Sequence, residues 1–332
     1  MTNVVVTGGA GFLGARLARQ LLAAGSLDVA GGGSQPLSRL TLLDRVPAPP
    51  DLASDERVRV MGTDLASLAG TDAGREELAA ADVIFHLAAA VSAECEADFD
   101  LGIRANLRAI ESLLECCRGA GAEPVVVFAS SLAVFGGSAA HPLPAVVDDQ
   151  TMPNPQSSYG AQKVIAEQLL ADYTRKGFVR GRTVRLMTVS VRPGLPNAAA
   201  SGFLSGIIRE PLAGRRATCP VDPGTEVAVA SPVRAISGLL RAATATDAEW
   251  GDRSPVNLPA LTTSPGGMAA ALERVAGPEA SSLIDWIPDP AAAAIVTGWP
   301  ARFRTERAAR LGLVPDPDYD SVIRMHMAET DR

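Results

Sequence analysis

Tyr159 and Lys163, in the run Tyr-Gly-Ala-Gln-Lys, carry the clearest chemistry that residue type and spacing offer in this chain. Of its 30 basic residues only Lys163 and Lys176 are lysines, and tyrosine occurs three times, at Tyr159, Tyr173 and Tyr319. A sequence that uses arginine almost everywhere thus keeps an ammonium at this spot. The two cations differ physically: lysine is a compact point charge on a flexible stem, arginine a flat fork of donors. Positions four apart share one face of a helix, so Lys163 is expected beside the Tyr159 phenol. A nearby positive charge favours phenolate and lowers a tyrosine pKa. A phenol tuned towards neutral pH is a usable general acid or base. The bland alternative is a solvated helix face that carries both residues by chance.

A second constellation opens the chain. Thr7-Gly-Gly-Ala-Gly-Phe-Leu-Gly14 joins a short apolar strand, Asn3–Thr7, to a helical pattern over Phe12–Ala24. Gly8, Gly11 and Gly14 supply a tight turn, close backbone approach to a pyrophosphate and close helix–strand contact. Phe12 and Leu13 begin the helix, where free N–H groups and the positive dipole end meet phosphate. Asp44 ends the next strand, Arg39–Asp44, where a carboxylate can bond both ribose hydroxyls and repel a 2′-phosphate, favouring NAD over NADP. It stands 30 residues after Gly14, further than the usual offset of about 20. Residues 26–38, with three consecutive glycines and Pro36, read as a loop insertion that accounts for the excess. Arg45 keeps NADP open as an alternative, and Asp28 is a weaker ribose candidate. Asp64 and Leu65 border the adenine, or Asp64 caps a helix.

Further strands are expected at Arg57–Met61, Asp82–His86, Pro124–Ala129 and Thr183–Val189, with helices over Glu96–Cys117 and from Ser157 to about Lys176. This alternation argues for an α/β fold, a doubly wound parallel (Rossmann) sheet with helices on both faces. Leu87, Ala88 and Ala89, just past the fourth strand, are small enough for a cofactor to pass close to the backbone, while His86 reads as a packed structural histidine. Asn106, a poor helix former inside a helix, either orients backbone or water near Lys163 or is simply exposed. Ser130 and Ser131 follow the fifth strand, at the strand ends where open α/β sheets place ligands; a hydroxyl there can bond a substrate oxygen opposite Tyr159. Beyond residue 194 prolines and glycines multiply and regularity fades. The chain therefore divides into a cofactor-binding domain, 1–193, carrying the catalytic residues, and a smaller irregular substrate lobe, 194–332.

Composition narrows the function classes. With 332 residues and 47% apolar content the chain can bury a sizeable core. A net charge of −7 with dispersed arginines argues against a nucleic-acid partner. Three scattered histidines and four cysteines in no knuckle spacing give no metal site, and reduced thiols fit a cytoplasmic location. No run approaches the roughly 20 apolar residues of a membrane span, and no basic signal-peptide start is seen.

Together Gly8/Gly11/Gly14, Asp44, Asp64-Leu65, Leu87-Ala-Ala, Ser130-Ser131 and Tyr159 with Lys163 resemble the extended short-chain dehydrogenase/reductase (NAD-dependent epimerase/dehydratase) family. The resemblance spans essentially the whole chain and implies NAD as cofactor, Tyr159 as proton carrier, Lys163 on the nicotinamide ribose and Ser131 on the substrate oxygen. It also implies that Arg192-Pro193-Gly194 borders the nicotinamide, and that a homodimer forms through helices around 96–117 and 157–176. Two departures stand out. Dehydratase members carry Thr-Asp-Glu where this chain has Ser131-Leu-Ala, and the usual Val-Tyr-Gly tyrosine is Phe135. Val191–Asn197, Ser201–Gly206 and Arg209–Leu212 are similar to a branch that oxidises the C2 hydroxyl of a four-carbon sugar acid. The carboxylate of such a substrate suits arginine's fork, with Arg192 and Arg234 as candidates and Asn197 as a neutral partner. A nucleotide-sugar epimerase on the same scaffold and a non-catalytic NAD sensor are the competing expectations.

Overall fold

The computed structural model describes residues 1–68, 70–194 and 201–330. Its centre is an eight-stranded, mostly parallel sheet. Six strands come from the first part of the chain: β1 (Thr2–Thr7), β2 (Ser26–Asp28), β3 (Ser34–Asp44), β4 (Val58–Gly62), β5 (Val83–His86) and β6 (Val125–Ser131). The strands Arg180–Leu186 and Val256–Asn257 complete it beyond β6. β1 pairs with β3 on one side and β5 on the other, both parallel. The order of winding therefore reverses at β1, the switch point where such sheets leave a crevice for ligand.

Central strands buried on both faces read as continuous apolar runs. Val4, Val5 and Val6 of β1 are buried, as are Val125, Val126 and Val127 of β6. One face packs the helix Phe12–Ala24, through Leu17 and Leu21, together with Ile236 and Leu239 of the helix Pro232–Thr244. The other packs Ile110, Leu113 and Leu114 against Ala166 and Leu170. Each fully buried leucine contributes roughly 1.5–3 kcal/mol. A separate core gathers Leu204, Ile207, Ile208, Met268, Leu272, Val322 and Ile323 from the helices Gly202–Leu212, Pro265–Ala276 and Tyr319–Thr330. Between these last elements, residues 232–257 return to the large sheet.

Four local expectations need correction. Residues 26–38 are not a loop insertion: β2 pairs antiparallel with the start of β3, and the Asp28 carboxylate accepts the Gly33 N–H at 3.0 Å, closing the turn. The expected helix over Glu96–Cys117 is interrupted. It runs as Ser92–Ala97, Phe99–Gly102, a π-helical stretch Ile103–Arg108 and Ala109–Ala120. Asp98 is extended (φ −136°, ψ 95°) and caps the second piece by accepting the Leu101 N–H at 2.8 Å. The strand expected at Thr183–Val189 is two strands in different sheets, with Thr188–Val189 pairing Val227–Ala230. Several prolines beyond residue 194 start helices rather than loops; Pro232 and Pro265 occupy first-turn positions, where the missing N–H is no loss.

Candidate active site

A cleft of about 500 Å³ opens at the switch point. Its lining includes Gly8, Gly11, Phe12, Leu13, Gly14, Asp44, Arg45, Asp64, Leu65, Leu87, Ala88, Ala89, Ser130, Ser131, Tyr159, Lys163 and Arg192. Residues as far apart in sequence as Gly8 and Arg192 thus meet in one cavity.

The glycine loop is sterically committed. Gly8 has φ +69°, and a Cβ there would lie 2.8 Å from the Ala88 nitrogen. A Cβ on Gly14 would lie 2.1 Å from the Gly8 carbonyl oxygen. The helix that follows has no side-chain cap at Gly11 and no acid in its first turn, so its first N–H groups, which lack intrahelical partners, are left for an anion. The Asp44 carboxylate accepts the Ala10 N–H at 3.0 Å and the Val46 N–H at 3.2 Å, which fixes it at the cleft edge with lone pairs to spare. Asp64 accepts the Ala66 N–H at 2.9 Å; it caps a turn and also lines the cleft. These donors, acceptors and absent Cβ atoms fit a dinucleotide.

The motif helix, Ser158–Arg175, starts from Ser157, whose hydroxyl accepts the Gly160 N–H at 3.1 Å. It presents Tyr159 and Lys163 on one face, with the Lys163 ammonium 5.6 Å from the Tyr159 ring centroid. Lys163 Nζ donates to the Ala129 carbonyl at 2.9 Å and lies 4.7 Å from the Phe128 ring centroid. Burial pulls the Lys163 ammonium down to about 8, against the opposing pull of Glu167. Burial pushes the Tyr159 phenol up to about 12, while Ser131 and Arg192 draw it down. The expected tuning of the phenol by Lys163 is therefore corrected: in the protein alone, burial outweighs it, and the opposing influences come from Ser131 and Arg192. The Arg192 guanidinium, itself lowered by burial, donates to the Val189 carbonyl at 3.3 Å; no carboxylate of the described residues pairs with it. Its backbone is held on both sides, by Ser205 Oγ at 3.0 Å and by Arg209 Nη1 at 2.9 Å.

His86 is the packed residue expected. Its Nδ1 lies 2.7 Å from Thr7 Oγ1, it stacks on Phe128, and burial holds the ring neutral, with a pKa of about 3. Asn106 is buried rather than exposed. Its amide bonds both the N–H and the carbonyl of Ala90, at 2.9 and 3.2 Å, and donates to Gln162 Oε1 at 2.7 Å. It ties the Leu87–Ala90 segment to the motif helix from behind the cleft. Pro193 is exposed beside Arg192. Arg234 is turned to Asp316, at 3.7 Å, and is not part of the cleft lining. Asn197 lies outside the described residues.

Two buried residues beside the cleft escaped the sequence reading. Glu167 and Arg185 form a buried ion pair at 2.7 Å behind Ser130. Glu167 continues the Tyr159/Lys163 stripe by one more turn, a signal that was available; Arg185 comes from a neighbouring strand and had none.

Fold and cleft define a Rossmann-type dinucleotide-binding protein with a tyrosine–lysine pair in the cleft lining. The chain belongs to the NAD dependent epimerase/dehydratase family, whose sequence pattern matches residues 4–227. It is 50% identical to a D-erythronate dehydrogenase of Cupriavidus necator over 98% of both chains. A D-erythronate dehydrogenase of Haemophilus influenzae is 39% identical over 97% of this chain and 98% of its own. Among solved structures, a nucleoside-diphosphate-sugar epimerase from Agrobacterium tumefaciens superposes with a TM-score of 0.87 at 38% identity, covering 98% of this chain and 94% of its own. L-threonine 3-dehydrogenase from Trypanosoma brucei shares the fold, with a TM-score of 0.82 at 22% identity. No helix among the described residues is long and apolar enough to cross a membrane.

Proposed function

We infer that this protein is an NAD-dependent dehydrogenase that oxidises the C2 hydroxyl of a short sugar acid, D-erythronate foremost, to the 2-keto acid. The observation that carries the reading is the meeting of three groups in one cleft: the Tyr159 phenol, the Ser131 hydroxyl and the Arg192 guanidinium, which no carboxylate of the described residues pairs with. The two D-erythronate dehydrogenases that match nearly end to end point the same way.

In this reading Gly8, Gly11, Phe12, Leu13 and Gly14 hold the pyrophosphate, Asp44 the adenosine ribose with Arg45 beside it, and Asp64 and Leu65 the adenine edge. Leu87, Ala88 and Ala89 form the floor, braced by Asn106; Ser130 borders the inner end, and Pro193 flanks the nicotinamide from the exposed side beside Arg192. Bound NAD⁺ supplies the hydride acceptor and a positive charge at its pyridine ring. Arg192 receives the substrate carboxylate in a forked pair, which sets C2 near Tyr159. Ser131 donates a hydrogen bond to the C2 oxygen, and Tyr159 takes the proton from that oxygen as the C–H bond is lost. With a pKa near 12 the phenol is almost wholly protonated at neutral pH, and it can accept the proton only once ionised, so its task depends on the cations that favour phenolate: Arg192, the Lys163 ammonium and the cofactor's own charge. Residues 1–193 act as the cofactor unit and 194–332 as the substrate lobe, with 232–257 lending its helix and strand to the sheet. A cytoplasmic homodimer belongs to the same proposal. The exposed Phe99 and Ile165, on the helices expected to pair, support it.

A panel of four- to six-carbon sugar acids, assayed by NAD(P)H absorbance with NAD⁺ and NADP⁺, tests the reading. Steady NADH formation with D-erythronate is expected. Tyr159→Phe should lower kcat by about 10²–10⁴-fold; near wild-type activity in that variant would defeat the assignment. A nucleotide-sugar 4-epimerase is the second reading, favoured by the Agrobacterium structure. It would interconvert a nucleotide sugar without net NADH. NAD binding with no turnover of any substrate would instead favour a sensor.

A further inference from the structure

Below the cleft lies a buried ionic cluster that the proposed chemistry does not use. Tyr159, Lys163 and Glu167 follow one another at four-residue steps along the motif helix, so all three share a stripe. Glu167 and Arg185 are 1% and 5% exposed. Their pair is bidentate: Arg185 Nε donates to Glu167 Oε1 at 2.9 Å and Nη2 to Oε2 at 2.7 Å. The guanidinium also lies 4.8 Å from the Phe135 ring centroid, and its strand is hydrogen-bonded to β6, with Arg185 opposite Ser130 and Leu186 opposite Ser131. Glu167 Oε1 accepts a further hydrogen bond from the Ser130 hydroxyl at 2.5 Å. Ser130 is buried and precedes the serine that faces Tyr159.

A buried ion pair is a poor source of stability, because desolvating both charges offsets most of their attraction. Its position between the strand end and the motif helix calls for another explanation. We propose that Glu167, anchored by Arg185, is the positioning residue of this active site: it fixes the Ser130–Ser131 strand end against Tyr159 and places a buried negative charge facing the Lys163 ammonium. The proposal rests on the dehydrogenase reading for its kinetic arm and stands apart from it in its spectroscopic arm.

Among the described residues, the titratable groups that face Lys163 are few. They are Glu167 and Tyr159 on its own helix, Cys95 on the helix Ser92–Ala97, and His86 at the end of β5. His86 is held neutral, and burial raises the Cys95 thiol. Glu167 is thus the carboxylate that keeps this ammonium charged in a site where burial works against charge. Replacing it also leaves the Arg185 guanidinium without its partner, which adds to the pull on the Lys163 proton.

The chain's two lysines make the test direct. With ¹³C-labelled lysine, Lys163 and Lys176 give two sets of side-chain resonances, and the buried one titrates low. In Glu167→Gln the Lys163 resonance is expected to titrate at lower pH than in wild type, with Lys176 unchanged. An unchanged Lys163 titration overturns the electrostatic half of the proposal. Should Glu167→Gln fail to fold, the double variant Glu167→Gln/Arg185→Gln removes the pair together and carries the same measurement. Ser130→Ala tests the other half with the ion pair intact: kcat should fall about tenfold, roughly the effect of losing one oriented hydrogen bond, with KM for NAD⁺ and sugar acid within about twofold. Ser130→Thr, which keeps the hydroxyl, should restore most of the rate. Equal rates in Ser130→Ala and wild type, or a loss that appears in KM for NAD⁺ alone, overturn the positioning role. Absence of turnover in wild type strikes the dehydrogenase reading and leaves the lysine titration to decide this one.

Discussion

Replacing Arg192 with glutamine tests the substrate reading where it is most exposed to failure. The guanidinium lines the cleft, its backbone is fixed by Ser205 and Arg209, and no carboxylate of the described residues pairs with it. The substitution therefore breaks no ion pair among the described residues, and stability should change little. A hydrogen bond to a charged group is worth about 1.5–3 kcal/mol, which corresponds to roughly a 10- to 150-fold rise in KM for a sugar acid. A second effect works through Tyr159. Arg192 is one of two influences that draw the phenol down from its burial-raised value. Its loss leaves the phenol a weaker acid and kcat lower at neutral pH, and raising the pH should recover part of that loss. Steady-state NADH production gives KM and kcat, and calorimetric titration gives the NAD⁺ affinity, expected within about twofold of wild type. Arg192→Lys should fall between, because an ammonium keeps the charge but not the fork. A KM within twofold of wild type in Arg192→Gln, or an NAD⁺ affinity that falls in step with KM, refutes the assignment of this residue to the substrate carboxylate.

Gly14→Ala places a methyl 2.1 Å from the Gly8 carbonyl oxygen and 2.8 Å from Gly9 Cα; neither backbone atom can swing aside as a flexible side chain would. Overpacking of this kind costs about 1–3 kcal/mol, so NAD⁺ should bind about 5- to 150-fold more weakly by titration calorimetry, while wild-type affinity would mean the loop is not the pyrophosphate cradle. Lys163→Met is expected to abolish turnover and yet to unfold at higher urea at pH 7. The Lys163 ammonium gives up its proton near pH 8 when folded rather than at the usual 10.5. Below pH 8 both states carry the proton and the full burial penalty, roughly 3 kcal/mol, weighs on the folded state. Between pH 8 and 10.5 the folded state sheds the proton first and the penalty fades. The advantage of the methionine variant, about 1–3 kcal/mol after the lost bond to Ala129, should therefore be largest at pH 7 and vanish by pH 10.5; a variant less stable than wild type at pH 7 contradicts this.

Local pattern carried the sheet and the cofactor end of the cleft. β1, β5 and β6 are short apolar runs between helical stretches, and the glycines of residues 8–14 announce the turn that lines the cleft. The β2–β3 hairpin was hidden because Gly31, Gly32 and Gly33 make its tip look like open loop, and strand pairing across it is not a property of either strand alone. The break at Asp98 was legible only as a residue type that favours caps over helix interiors. The electrostatics of Tyr159 were misread because spacing gives proximity but not burial, and burial is the larger influence here. Arg234 looked as eligible as Arg192 for a carboxylate, and only the fold reveals that Asp316 already claims it. Glu167 and Arg185 pair across 18 residues through a helix and a strand, a distance at which sequence offers no period to follow.

The hydroxyls of Tyr319 and Ser190 meet at 2.7 Å in the interior, 129 residues apart, and Ser190 lies two positions before Arg192. During synthesis at roughly 5–20 residues per second, that partner emerges about 6–26 s after Ser190 itself. The nascent polypeptide must therefore wait, with the interior beside Arg192 unfinished and open to water, until the helix Tyr319–Thr330 leaves the ribosome. Closure of the wall beside Arg192 is then timed by synthesis of the helix Tyr319–Thr330 and not by that of the glycine loop.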